Sequence, residues 1–111
     1  MRVFNIDGIA GGFETLSSIT TAKGFTSAKI APTTGSFTGK QARAVILSVE
    51  TADIRFTIDG TTPTTTALGA AGHLLTVGSS YEITGEKNIA NFSCINAVAS
   101  NGAVVKCTYL F

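Results

Sequence analysis

A chain of 111 residues with eight basic and seven acidic side chains, one histidine and a net charge of +1 has room for one hydrophobic core but not for two ordinary domains. The basic residues Arg2, Lys23, Lys29, Lys40, Arg43, Arg55, Lys87 and Lys106 are scattered, which argues against a nucleic-acid partner, since that partner needs them clustered on one face. Charged residues make up only 14%, against about 25% in soluble proteins generally, so Thr, Ser and Gly must supply a largely neutral surface of the kind that packs against neighbours.

Residues 1–12 read as an N-terminal arm, with glycines around Asp7-Gly8 and Gly11-Gly12 and with Val3, Phe4, Ile6 and Ile9 as apolar anchors. Twelve residues cannot bury those side chains by themselves, so they are expected to dock on the body of the protein or on a partner. Arg2 interrupts what would be a signal-peptide core, and that core is too short, so export by that route is not expected. Residues 13–111 read as one β-domain.

The run Glu14 to Ala22 has the β-branched content of a first strand and ends at Lys23-Gly24. Pro32 to Ala42 is dense in turn formers and reads as a loop. Arg43 to Val49 is an apolar β-rich run; Glu50-Thr51-Ala52 turns the chain into Asp53 to Ile58, where Ile54, Phe56 and Ile58 alternate with Arg55 and Thr57. The two runs predict a hairpin. Asp59-Gly60 then supplies a tight turn and Pro63 cannot extend a sheet ladder.

Thr64 to Gly72 reads as an excursion loop, and His73 to Val77 with Ser80 to Thr84 as two short strands or one bent one. No window carries a helical period. Between Lys87 and Lys106 the chain is uncharged for about the length of a membrane helix, but Asn88, Asn91, Asn96, Asn101 and Gly102 break it, so a hairpin is expected and no membrane partner. Pairing across Asn101-Gly102 places Phe92, Cys94, Asn96, Val98, Val105, Cys107, Tyr109 and Phe111 on one face. In that register Cys94 and Cys107 are diagonal neighbours, about 7–8 Å or less between Cα atoms and at or beyond the usual disulfide limit. Both are expected to be reduced core residues.

Catalytic and cofactor chemistry finds no constellation. The single histidine, His73, has no carboxylate and nucleophile set to accompany it in the sequence. Asp7, Glu14, Glu50, Asp53, Asp59, Glu82 and Glu86 are spread singly, and Asp59-Gly60-Thr61 lacks the ligand series of a calcium loop. No metal, phosphate loop or other cofactor is expected, and no enzyme. Asn91-Phe92-Ser93 matches a glycosylation sequon, expected to be a chance match within a strand.

Two resemblances attach to these residues. Ile54 to Thr64 resembles the strand and Asp-Gly turn of chitobiase-C-terminal-type β-sandwich modules, accessory domains of glycoside hydrolases. A longer one joins Ala44 to Val49, Ile54 to Pro63, Gly72 to Leu75, Tyr81 to Gly85, Ile89 to Phe92 and Val105 to Tyr109, and is similar to small tailed-phage virion structural proteins of the capsid decoration, or cement, type. The second implies an all-β protein located in the virion and assembled in the host cytoplasm. It also implies repeated copies or a homo-oligomer bound to the major capsid protein or other virion proteins, at the shell or at a neck or tail position. The first implies a carbohydrate-binding module. Together with the alternation they give the expected fold: one antiparallel β-sandwich, immunoglobulin-like or related, of about seven strands.

Overall fold

Alternation of apolar residues builds two sheets. The computed structural model describes residues 8–111; Val3, Phe4 and Ile6 lie outside them. Among the described residues there are seven strands: β1 (Ala10–Leu16), β2 (Ala44–Glu50), β3 (Ile54–Thr57), β4 (His73–Leu75), β5 (Ser80–Thr84), β6 (Ser93–Asn96) and β7 (Val104–Leu110). One sheet runs β1-β7-β2-β5 and the other β4-β3-β6, every pair antiparallel. Val45, Leu47 and Val49 of β2 and Val105, Cys107 and Tyr109 of β7 share one core with Ile54 and Phe56 of β3 and Cys94 of β6. This is the all-β, two-sheet architecture that the sequence predicts.

The pairing differs from expectation. Residues 43–49 and 53–58 do not form a hairpin, because β2 and β3 belong to different sheets; the chain crosses at Thr51, which takes φ 75°, and Ala52, which is buried. The C-terminal hairpin is corrected in the same way: β6 pairs with β3 while β7 runs between β1 and β2. A two-residue turn of the expected type needs positive φ at both central residues. Here Ser100 and Gly102 are positive and Asn101 is not, so the segment 97–103 crosses between sheets instead of folding back. Residues 73–84 also divide, β4 to one sheet and β5 to the other.

These crossings are stitched at one end of the sandwich. The Asp53 carboxylate accepts the Val77 amide at 2.8 Å, and the Asp53 carbonyl accepts the Ala97 amide at 3.0 Å. Val49 exchanges backbone bonds with the same bend, its amide donating to Ser79 and its carbonyl accepting from Gly78. The bonds fix where each apolar run enters its sheet, and hence which face is buried.

The first strand begins at Ala10, inside the segment read as an arm, and ends at Leu16 instead of running to Ala22. Ile9 and Phe111 exchange both backbone bonds at 2.9 Å, so the ladder with β7 starts at Ile9, and Gly11 is the extra residue of a bulge. After Leu16 the chain leaves that sheet and closes the open edge of β6. Ile19 accepts the Asn96 amide at 3.0 Å, and Lys23 exchanges two bonds with Cys94 at 2.9 Å.

Two short helices, α1 (Ser27–Ile30) and α2 (Glu86–Asn91), were not expected. At four and six residues neither is long enough to print a period on the sequence. Phe25, just before α1, stacks on Phe92 with centroids 4.3 Å apart and meets the edge of Tyr109 at 5.5 Å, which seals that side of the core. Cys94 and Cys107 are free and buried, one from each sheet.

Candidate functional site

A cleft forms where β3 gives way to the Asp-Gly turn. Asp59 Oδ1 accepts the Thr61 amide at 3.0 Å, Thr57 Oγ1 donates to the Thr61 carbonyl, and Gly60 takes φ 89°. These bonds make a rigid turn that projects the Asp59 carboxylate outward. The loop from there to β4 is tied at its base. Thr64 and Ala71 are bonded in both directions, at 3.0 Å from the Thr64 amide and 2.9 Å to the Thr64 hydroxyl, and the Arg55 guanidinium reaches the Gly72 carbonyl at 3.3 Å. Gly72 has φ 106° and lies so close to β3 that a Cβ would sit 2.9 Å from the Phe56 carbonyl oxygen. That approach sets His73 directly opposite Phe56 in the ladder.

Thr57, Ile58, Asp59, Thr61, Gly72 and His73 line a space of about 360 Å³. A second hollow of about 340 Å³ continues past Ile58 and His73 to Leu75 and Tyr81. Phe56 forms the ground beneath, its ring 5.7 Å from His73 and 5.2 Å from Tyr81. Hydrogen bonds from the Thr61 amide and hydroxyl, together with the nearby His73, hold the Asp59 carboxyl below its ordinary range, so it is anionic at neutral pH. The cleft can accept and donate hydrogen bonds beside an apolar and aromatic wall. Among the described residues no three of His, Cys, Asp and Glu converge as a metal site requires.

The outer face of the four-stranded sheet is the other candidate surface. Register aligns Phe13, Thr108, Ile46 and Glu82 in one row and Thr15, Lys106, Ser48 and Ser80 in the next. Phe13 is 56% exposed, and the Lys106 ammonium lies 5.9 Å from its ring while donating to Thr15 at 3.3 Å. Of the anchors expected in the arm, Ile9 alone lies among the described residues; it is 67% exposed beside Phe111 at the head of the edge strand. Sequence reasoning missed Phe13 as a surface residue because it assigned no register to β1. Past the bulge at Gly11, Phe13 and Thr15 face outward while Glu14 and Leu16 face the core, a register set by the pairing with β7.

No family model, curated protein or solved structure matches this chain.

Proposed function

We propose that this chain is a non-enzymatic structural protein of a tailed-phage virion, of the capsid decoration type, that binds repeating sites on the shell. The observation that supports this reading is the outer sheet face: weakly charged, and carrying the exposed Phe13 in register with Thr108 and Ile46. A neutral hydroxyl-rich sheet loses little solvation on docking, and one exposed aromatic can act as an anchor. Ile9 and the apolar Val3, Phe4 and Ile6 of the same terminus are proposed as a second anchor. Repetition over a shell turns modest contacts into avidity. The test is cosedimentation of the purified protein with capsid shells of the phage that carries its gene. Saturable binding at a fixed ratio to the major capsid protein, weakened by Phe13→Glu, is expected; absence of sedimentation with capsid, neck or tail particles would reject the proposal.

The Asp59 and His73 cleft favours a second reading, a module that binds neutral saccharides, because it sets hydrogen-bonding groups beside Ile58 and Tyr81. Titration of the labelled protein with neutral oligosaccharides should then shift the amide resonances of Thr61, His73 and Tyr81 saturably, and unchanged spectra would remove this reading.

A further inference from the structure

Glu14 lies in β1 opposite Cys107 of β7, on the core side of an edge strand. An inward-pointing carboxylate at an edge discourages further strand pairing. In this chain it also holds three pieces together. Oε1 accepts the Tyr109 hydroxyl and the Thr26 amide, the latter at 3.1 Å, and Oε2 accepts the Thr26 hydroxyl. Thr26 directly precedes α1, so one carboxylate joins β1, β7 and the segment that seats Phe25 in the core.

The titratable and charged groups that face Glu14 are Tyr109 and Cys107 from β7 and Lys29 from α1. Burial pushes the Tyr109 hydroxyl up, and the bond to Glu14 pushes it further, so it remains a donor. Burial holds the Cys107 thiol neutral, pushed up to about 12. Partial burial raises the Glu14 carboxyl, but the bonds from Thr26 and Tyr109, aided by Lys29, bring it below the ordinary 4.5. In mild acid Glu14 is therefore the member of this group that changes charge.

We propose that Glu14 is an acid-operated latch: its protonation loosens β1 and the segment from Gly24 to Ile30 while β2, β7 and the second sheet stay folded. Protonation at Oε2 turns that oxygen into a donor, so the Thr26 hydroxyl must reverse to accept, and the bonds from Tyr109 and the Thr26 amide to Oε1 lose the strength that a charged acceptor gives them. Opening is local because, among the described residues, β1 pairs only with β7, and its first half, Ala10-Gly11-Gly12, is a bulge of weak strand formers. β2 and β7 each have partners on both sides. Because the folded carboxyl value is depressed, this stabilisation is fully present above pH 4.5 and is lost as pH falls through the lower folded value.

Amide exchange of the labelled full chain, corrected for intrinsic rates and followed from neutral pH downward, tests the latch. Protection at Gly12 to Leu16 and at Thr26 should fall in one step below pH 4.5, while Val45 to Val49 keep theirs. In Glu14→Gln the step should vanish and the same amides should be loosened already at neutral pH. Thr26→Val, which removes one donor at nearly constant volume, should move the step to higher pH and covers the case in which the glutamine variant does not fold. Steady protection of β1 through the titration, simultaneous loss in β1 and β2, or an unmoved step in Thr26→Val would each overturn the proposal.

Discussion

The side-chain oxygen of Asn96 accepts the backbone amide of Ala103 at 3.1 Å, and both residues are buried. Asn96 ends β6 and Ala103 precedes β7, so this bond spans the crossing between sheets where a hairpin was expected. Asn96→Ala leaves a buried amide without an acceptor and should destabilise the fold by about 1–3 kcal/mol. Urea unfolding should show a lower midpoint with an unchanged slope.

Gly60 and Gly72 separate two costs. Both have positive φ, but nothing lies within 4 Å of a Cβ at Gly60, whereas one at Gly72 meets the Phe56 carbonyl at 2.9 Å. Gly60→Ala should cost about 1–2 kcal/mol from backbone conformation alone. Gly72→Ala should cost more, since β3 or β4 must also shift. Thermal melts that reverse this order would contradict the packing of His73 against β3.

Burial pushes both Cys94 and Cys107 up to about 12. At pH 8 the thiolate is then roughly one part in ten thousand of either residue, and a thiol reagent should label neither until the protein unfolds. Labelling kinetics that track the unfolding rate are expected. Intact mass should show no loss of two hydrogens, and Cys94→Ala and Cys107→Ala should each cost about 1–2 kcal/mol through lost packing.

Phe111 stacks on Phe37 of the loop before β2 with centroids 4.7 Å apart, and Tyr109 is fully buried. Removing Tyr109 to Phe111 takes away two aromatic side chains and the backbone partners of Ile9 and Gly12, so the product should be insoluble or molten. An unchanged melting temperature would show that the β1–β7 ladder is not formed in solution.

The terminus is tested with two deletions. Removing residues 2–12 deletes the Ile9–Phe111 pair and the first part of β1, whereas removing 2–7 leaves that ladder intact. The longer deletion should lower the melting temperature by more than the shorter one, and the shorter one should reduce binding to particles if Val3, Phe4 and Ile6 are contact residues.

Local alternation determined much of this protein. The spacing of Ile54 and Phe56 assigns them to a buried face, and the register of a hairpin that does not form assigns Cys94, Cys107, Tyr109 and Phe111 to one; all are buried in the structure, whereas Val98, expected on the same face, is 58% exposed. The Asp59-Gly60 turn was equally legible, because positive φ at a glycine and an aspartate that bonds two residues on are properties of a few adjacent residues. Alternation states which face of a strand is apolar and says nothing of which strand lies beside it. The short links 51–53, 76–79 and 97–103 look like hairpin turns, yet each carries the chain between sheets, and the bonds that make them do so come from distant residues such as Asp53 to Val77 and Ala97. Sequence-adjacent pairing therefore failed at those links. The cleft beside His73 and the three-way bond at Glu14 were invisible for the same reason: Thr57 and Gly72 line one space only once β3 has paired with β4, and Glu14 meets Tyr109 from 95 residues away only once β1 has paired with β7.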